Sequence, residues 1–434
     1  MSALRVGLLG LGVVGSGTFK VLNSNAAEIT RRTGRQIEVV AVAVRDVDKA
    51  RELVGDSIPV TQNGLELVQR ADVDVVVELI GGDTVAYEWV MAAIANGKHV
   101  VTANKALLAT RGNEIFEAAR EQGVMVAYEA AVAGGIPIIK AMREGLAANK
   151  IEWVAGIING TTNYILSEMR NAQLAFSEAL YEAQRLGFAE ADPTFDIEGV
   201  DAAHKLALLA SLAFGIPVQF DKIYTEGIST VAREDLQHAD RLGYRIKLLG
   251  IARRTPNGIE LRVHPTLIPA EQPLANIEGA MNAVLVQGDM VGPTMYYGQG
   301  AGELPTASAV VADLIDVARL QTVKQQHQVP ALAFQADALI DIPILPMTDV
   351  VSSYYLRLRV EDRPGVLADI ARILADSQIS VDSMFQEPHG EEQSDIIFLT
   401  HRAVEGHVNK ALEQVQALEL VKSKITRIRV ESLS

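Results

Sequence analysis

Between residues 187 and 205 the chain gathers Glu190, Asp192, Asp196, Asp201 and Lys205. Carboxylates of this kind hold the charged end of a small molecule, and a lysine among them can give up or take a proton. Asp201 and Lys205 stand four apart, so on a helix they share a face and pair. A free lysine titrates near about 10.4, and burial would have to lower that for efficient proton exchange near neutrality. Leu206, Leu209 and Ala213 can point elsewhere, to a core. His204 reads as a helix-face residue beside this cluster rather than a catalyst. None of the eight histidines shows metal-ligand spacing.

Near the start, Gly10-Leu11-Gly12-Val13-Val14-Gly15 follows an apolar run at 3–9 and opens a helix expected over 13–23. In such a loop the first glycine permits the tight turn. The second lets a pyrophosphate approach backbone N–H groups at the helix N-terminus, and the third lets helix and strand pack closely. The context points to dinucleotide binding. The second apolar run ends at Val44-Arg45-Asp46. An acid there grips the ribose diol of NAD, whereas an arginine holds the 2′-phosphate of NADP. Arg45 comes first, so the expectation is NADP, with NAD as the alternative. Lys105 follows the run at 99–102, with Thr102 and Asn104 near it. Strand C-terminal ends are where doubly wound sheets build sites.

These groups need a frame. Apolar, β-branched, largely unalternating runs lie at 3–9, 38–44, 73–80, 99–102 and 124–128, with helical-period stretches at 84–96 and 112–122. Strands buried on both faces read this way, and their alternation with helices predicts a parallel, doubly wound Rossmann sheet. The segment 24–36, with Arg31, Arg32 and Arg35, reads as a polar, basic loop. From 137 a central α+β domain is expected, with helices at 137–148, 161–171, 176–186 and 199–214 and strands at 151–158, 259–268 and 281–287. Residues 305–325 return to helical period, with Val310, Val311, Leu314, Val317 and Ala318 on one face. The expected domains are 1–136 with 305–325, 137–304, a proline-bearing linker at 326–349, and 350–434.

The sequence has 434 residues, enough for roughly three domains at about 150 each. It is 49% apolar and 21% charged, a globular composition. A net charge of −15 argues against nucleic acid as a partner. There is no cysteine, which excludes disulfides, thiolate metal sites and thiol nucleophiles. No run reaches the roughly 18 apolar residues of a membrane span. The N-terminus shows no signal-peptide layout, so a cytoplasmic protein is expected.

Several motifs in order then resemble the homoserine dehydrogenase family over essentially the full length. They are Gly10–Gly15, Thr102-Ala-Asn-Lys105, Glu129-Ala-Ala-Val-Ala-Gly-Gly-Ile-Pro137, Asn159-Gly-Thr-Thr-Asn163 and Gly187-Phe-Ala-Glu-Ala-Asp-Pro-Thr-Phe-Asp196, with Asp201 and Lys205. The resemblance implies reduction of L-aspartate 4-semialdehyde to L-homoserine with NAD(P)H, a step toward threonine, methionine and isoleucine. It makes Lys205 the general acid in reduction and the base in oxidation. Glu190 and Asp196 would bind the substrate, with Asp201 in the same pocket. Lys105 would touch nicotinamide and substrate and share the proton-transfer role. Gly187 and Gly302 would lie near the nicotinamide. Glu129, with the carbonyls of Val132, Gly134 and Ile136, resembles the family's monovalent-cation site, whose hard oxygens suit sodium. Homodimers or homotetramers are implied.

The last segment has strands expected near 354–360, 380–386, 394–400 and 424–431, and helices near 364–377 and 404–418. Asp362-Arg-Pro-Gly-Val-Leu-Ala368 opens the first helix, with Pro364 expected in its first turn. Val366, Leu367, Ile370, Ile373 and Leu374 form a core-facing stripe. This βαββαβ order resembles an ACT domain, which implies amino-acid binding and, here, feedback inhibition by threonine. Two other readings are weighed: another ACT-bearing Rossmann dehydrogenase, and a non-catalytic NAD(P)-sensing regulator. The first lacks the acid cluster at 187–205. The second calls for a DNA-binding segment and a cationic face, neither of which is seen. A fusion to aspartokinase is not expected, since the glycine loop starts near residue 10.

Overall fold

The computed structural model describes residues 2–324 and 327–433. The expected domain limits at 1, 326 and 434, and the helix end at 325, fall outside these. The chain forms two compact units: Met1–Val154, Asp201–Ile223 and Met281–Ile342 make one, and Ala155–Val200, Tyr224–Ala280 and Pro343–Ser434 the other.

In the first unit, β1 (Leu4–Leu9), β2 (Ile37–Ala43), β3 (Val60–Thr61), β4 (Val75–Glu78), β5 (His99–Thr102) and β6 (Val126–Ala127) form one sheet. Its order is β3-β2-β1-β4-β5-β6, and its paired strands are parallel. The doubly wound reading is correct. Side chains alternate across a strand. Leu4, Val6 and Leu8 join the core with Val310, Leu314 and Val317 of the helix Glu303–Leu320. Gly7 takes the other face, where an added Cβ would come within 2.5 Å of Leu67.

The segment read as a basic loop at 24–36 is instead largely a helix, Ala26–Thr33. Its basic groups have local partners: Arg31 and Arg32 pair with Glu28, and Arg35 donates to the Ala3 carbonyl. The single helix expected at 137–148 is also corrected. One short turn, Ile138–Lys140, passes into a π-turn at Ala141–Gly145, closed by an i→i+5 bond from Leu146 N–H to Ala141 O at 2.8 Å. The strand expected at 281–287 has an antiparallel partner at Gly292–Gln299 that the sequence did not announce.

In the second unit the strand expected at 259–268 is Gly258–Pro269, paired along its length with Tyr244–Thr255. Thr426–Val430 adds to it in parallel and then pairs antiparallel with Val351–Glu361, followed by Gln393–Thr400 and the edge strand Val381–His389. Helices Val366–Asp376 and Glu405–Gln416 contribute to a core of Tyr354, Leu356, Ile370, Phe398, Val408 and Val415. The expected βαββαβ pattern is present. Pro364 falls outside the helix, whose N-cap is Gly365 in the left-handed region. The stretch read as a linker is partly tied down: Leu332 is buried and Ile344 bridges to Ile259. Among the described residues no helix is long and apolar enough to cross a membrane.

Candidate functional site

The glycine loop leaves β1 and enters the helix Val13–Ser24. Each glycine has a separate reason. Gly10 has φ +100°, and a Cβ on it would sit 2.8 Å from Leu79 O. A Cβ on Gly15 would lie 2.2 Å from Gly10 O, so helix and loop touch backbone to backbone. Gly12 is the N-cap, with no side-chain cap and no acid in the first turn. A Cβ there would meet nothing within 4 Å. The first-turn N–H groups therefore stand behind an open surface, as a pyrophosphate requires. Leu11 is half-buried, while Val13 is exposed on the same turn and Val14 lines the core. Arg45 is exposed just past β2. Asp46 is engaged as a helix cap, accepting from Lys49 N–H at 3.1 Å. Both side chains are exposed, and the Asp46 carboxylate is the one engaged in a cap.

At the ends of β4 and β5 a buried carboxylate organises the backbone. Glu78 accepts from the Thr102 hydroxyl at 2.6 Å and from Ile80 N–H at 2.9 Å. Burial pushes its carboxyl up. Thr102 Oγ1 in turn accepts from Asn104 N–H, and Asn104 caps the helix that begins at Lys105. The sequence reading does not single out Glu78, although a charge at the end of the apolar Val75-Val76-Val77 run is its signal.

Lys105 leads to a cluster of paired charges. Its ammonium lies 3.2 Å from Asp201 Oδ1, and the Lys205 ammonium lies 2.7 Å from Asp201 Oδ2. One carboxylate thus orients two lysines. The helix Val200–Phe214 is buried nearly throughout, and it carries Asp201 and Lys205 at the expected four-residue spacing. Lys105 is one-third exposed, against 11% for the Lys205 side chain. His204, on the same helix, is packed against Phe220 with ring centroids 4.3 Å apart. Burial first, then the two lysine charges, pushes its imidazole down to about 4.

In the second unit, Asp196 sits on the short helix Thr194–Ile197. Its Oδ1 accepts from Asn159 Nδ2 at 2.7 Å. The Asn159 Oδ1 meanwhile caps Gly160–Asn171 by accepting from Thr162 N–H. One asparagine starts a helix and holds an acid, a role the sequence motif alone did not reveal. Glu190 is exposed, and its carbonyl accepts from Gln184. Gly187 has φ +78°, ending the helix Phe176–Arg185.

The segment after β6 is tightly folded. Glu129 is buried, and its two oxygens accept from Ile139 and Lys140 N–H at 2.8 and 2.9 Å. Burial pushes Glu129 up and pushes the neighbouring buried Asp313 up to about 8. Val132 and Ile136 are buried, and Gly134 has φ +45° with Gly300 O where a Cβ would be. Gly302, at φ +125°, is the N-cap of Glu303–Leu320. A carboxylate with main-chain carbonyls is a hard-oxygen set of the kind a small cation takes, although both Glu129 oxygens and the Ile136 carbonyl already accept N–H bonds.

Three family models match the chain. One described as the NAD-binding domain of homoserine dehydrogenase covers residues 10–129, one described as homoserine dehydrogenase covers 137–315, and an ACT domain covers 354–420. The chain is 58% identical to the homoserine dehydrogenase of Pseudomonas aeruginosa, covering 100% of both chains. A homoserine dehydrogenase structure from Thiobacillus denitrificans is 64% identical, with a TM-score of 0.95 over 100% of this chain and 99% of that one. A hyperthermophilic archaeal homoserine dehydrogenase in complex with NADPH is 25% identical, with a TM-score of 0.64 over 74% of this chain and 99% of that one.

Proposed function

This chain belongs to the homoserine dehydrogenase family and is an NAD(P)-dependent oxidoreductase, and from that premise we propose how its residues divide the work. The observation that carries the assignment is the sharing of Asp201 between Lys205 and Lys105. The substrate pair is L-aspartate 4-semialdehyde and L-homoserine. When bound, the reduced nicotinamide supplies the hydride that converts aldehyde to alcohol. The oxygen gains negative charge as that happens, and Lys205 donates the proton that quenches it. In oxidation Lys205 takes the proton back. Asp201 fixes the direction of both ammoniums, and Lys105 holds the reacting oxygen and shares the proton. Glu190 and Asp196 hold the amino and hydroxyl ends.

Gly10, Leu11, Gly12, Val13, Val14 and Gly15 hold the pyrophosphate. Thr102, Lys105, Gly187 and Gly302 border the nicotinamide, and exposed Arg45 selects NADP over NAD. Glu129 with the carbonyls of Val132, Gly134 and Ile136 holds a monovalent cation, sodium by donor hardness. We assign the C-terminal region to feedback inhibition by threonine, within synthesis of threonine, methionine and isoleucine. We place the enzyme in the cytoplasm as a homodimer or homotetramer. The supports for these finer readings are the family models and the geometry above.

The test is the rate of nicotinamide reduction with L-homoserine, using NADP and NAD separately, with sodium or potassium present and with or without threonine. Turnover that favours NADP and falls with threonine is expected. Absence of turnover in folded protein would overturn the assignment.

A further inference from the structure

The residues that follow the strand Tyr224–Thr225 have no part in the chemistry above, yet they hold the segment that carries Asp196. Ile228 N–H donates to Ile197 O at 2.8 Å. A Cβ on Gly227 would lie 2.3 Å from Ile197 O and 2.5 Å from Glu198 Cα, so the two backbones are in direct contact. Gly199, buried at φ +82°, continues this contact: its Cβ would lie 3.2 Å from Thr225 Cγ2 and 3.6 Å from Glu226 O. Movement of 225–228 therefore carries 197–199 with it, and Asp196 is the adjoining residue.

Glu226 fixes 225–228 in turn. Its N–H donates to Val263 O at 2.8 Å. Its Oε2 accepts from Tyr224 at 2.8 Å, from Arg429 Nη1 at 2.8 Å and from Arg427 Nη2 at 3.5 Å. Both arginines lie on the last strand of the βαββαβ region, and Arg429 is fully buried. Arg429 also binds Glu405 at the start of the second helix of that region. A single carboxylate thus joins the regulatory region to the backbone that supports a substrate acid.

We propose that Glu226 is a positioning residue for Asp196, through which the C-terminal βαββαβ region sets affinity for the amino-acid substrate. The inference rests on Asp196 holding that substrate, as proposed above. Coupling of this kind needs an element whose arrangement both sites bias, and the backbone contacts of 225–228 with 197–199 mark the segment that would carry it.

The experiment compares full-length Glu226→Gln, Asp196→Asn and the double variant, measuring KM for L-homoserine, KM for NADP and kcat. In Glu226→Gln the homoserine KM should rise about tenfold, with kcat and the NADP KM within about twofold, the signature of lost substrate binding alone. In the double variant the two effects should be less than additive, because they act on one group. Arg427→Gln, which removes a partner at the half-exposed edge of the cluster, should give a smaller rise of the same kind and covers the case in which Glu226→Gln fails to fold. An unchanged homoserine KM in Glu226→Gln, beside a raised one in Asp196→Asn, overturns this inference and leaves the assignment of Asp196 standing. A fall in kcat together with equal rises in both KM values, or full additivity, also overturns it by revealing a general structural role. An unchanged homoserine KM in Asp196→Asn removes the premise and the inference together.

Discussion

Asp201 in one unit is shared by two ammonium groups; Arg429 in the other is shared by two carboxylates, Glu405 and Glu226. Both clusters are charged and mostly buried. Their surroundings differ. Lys105 keeps a third of its side chain in solvent, while Arg429 is fully enclosed and also contacts the Tyr224 ring. Arg427 joins the second cluster, binding Glu405 at 2.9 Å, so two guanidiniums meet two carboxylates. The Arg429 charge is held more firmly than in a free guanidinium, through its bonds to Glu405. The first arrangement leaves an ammonium group beside an accessible edge. The second locks strand to helix. Both clusters pair cations with carboxylates, and it is access that suits one to chemistry and the other to architecture.

The largest effect that separates the two should be on turnover. Lys205→Ala should lower kcat by a general acid–base factor of roughly 100 to 10,000, with NADPH binding retained. Steady-state rates and a fluorescence titration of NADPH on the same preparation check both halves. Normal turnover would put Lys205 with Arg429 among the structural ions and erase the distinction.

Arg429→Met should do the reverse. It leaves Glu405 buried without its main partner, and breaking such a pair costs about 3–5 kcal/mol. Urea unfolding should show that loss, while kcat of the folded fraction stays near that of the parent. A stability change below about 1 kcal/mol would rank the cluster with surface pairs.

The sequence exposes these clusters unequally. Asp201 and Lys205 are legible because four residues on a helix put them on one face. The glycine loop is legible because each glycine answers to a local clash, as Gly15 does to Gly10 O. Arg429, Glu405 and Glu226 are spread across the chain and meet only after the sheet has formed, so no spacing marks them. Asn159 was visible as part of a motif, but its hold on Asp196 depends on a loop that returns beside it. The start of the short turn before Ala141 is hidden for a related reason. Ile138–Lys140 has ordinary helical composition, and its start is capped by the Glu129 carboxylate, nine residues before Ile138, a partner that no local spacing marks.

A smaller effect tests how selectivity is set at the exposed end of β2. Arg45→Ala should raise the KM for NADP about tenfold or more, by loss of a charge-assisted contact to the 2′-phosphate, with little change for NAD. Kinetics with both cofactors decide it. Equal changes would assign Arg45 to solvent and leave the discrimination to other residues.

The smallest effect concerns the protein's proton balance beside the lysines. His204 is pushed down to about 4, by burial first and by the Lys105 and Lys205 charges after it, with Asp201 and Asp83 opposing. An unfolded histidine titrates near about 6.5. Above that value neither state holds the proton, and the group contributes nothing to pH dependence. Between about 6.5 and 4 the unfolded chain binds a proton that the folded one refuses, so stability falls as pH falls through this window. His204→Gln removes that term while keeping a polar side chain of similar reach. Its urea midpoint should therefore decline less steeply than that of the parent from about pH 7 to pH 5, whatever its absolute stability. No such term should enter above pH 7, so there the two curves should run parallel. Parallel curves across the whole range would mean that the imidazole protonates freely in the folded state. The pocket around Asp201 would then admit water far more readily than the closed cluster at Arg429, and burial could no longer be the main control on the lysine beside it.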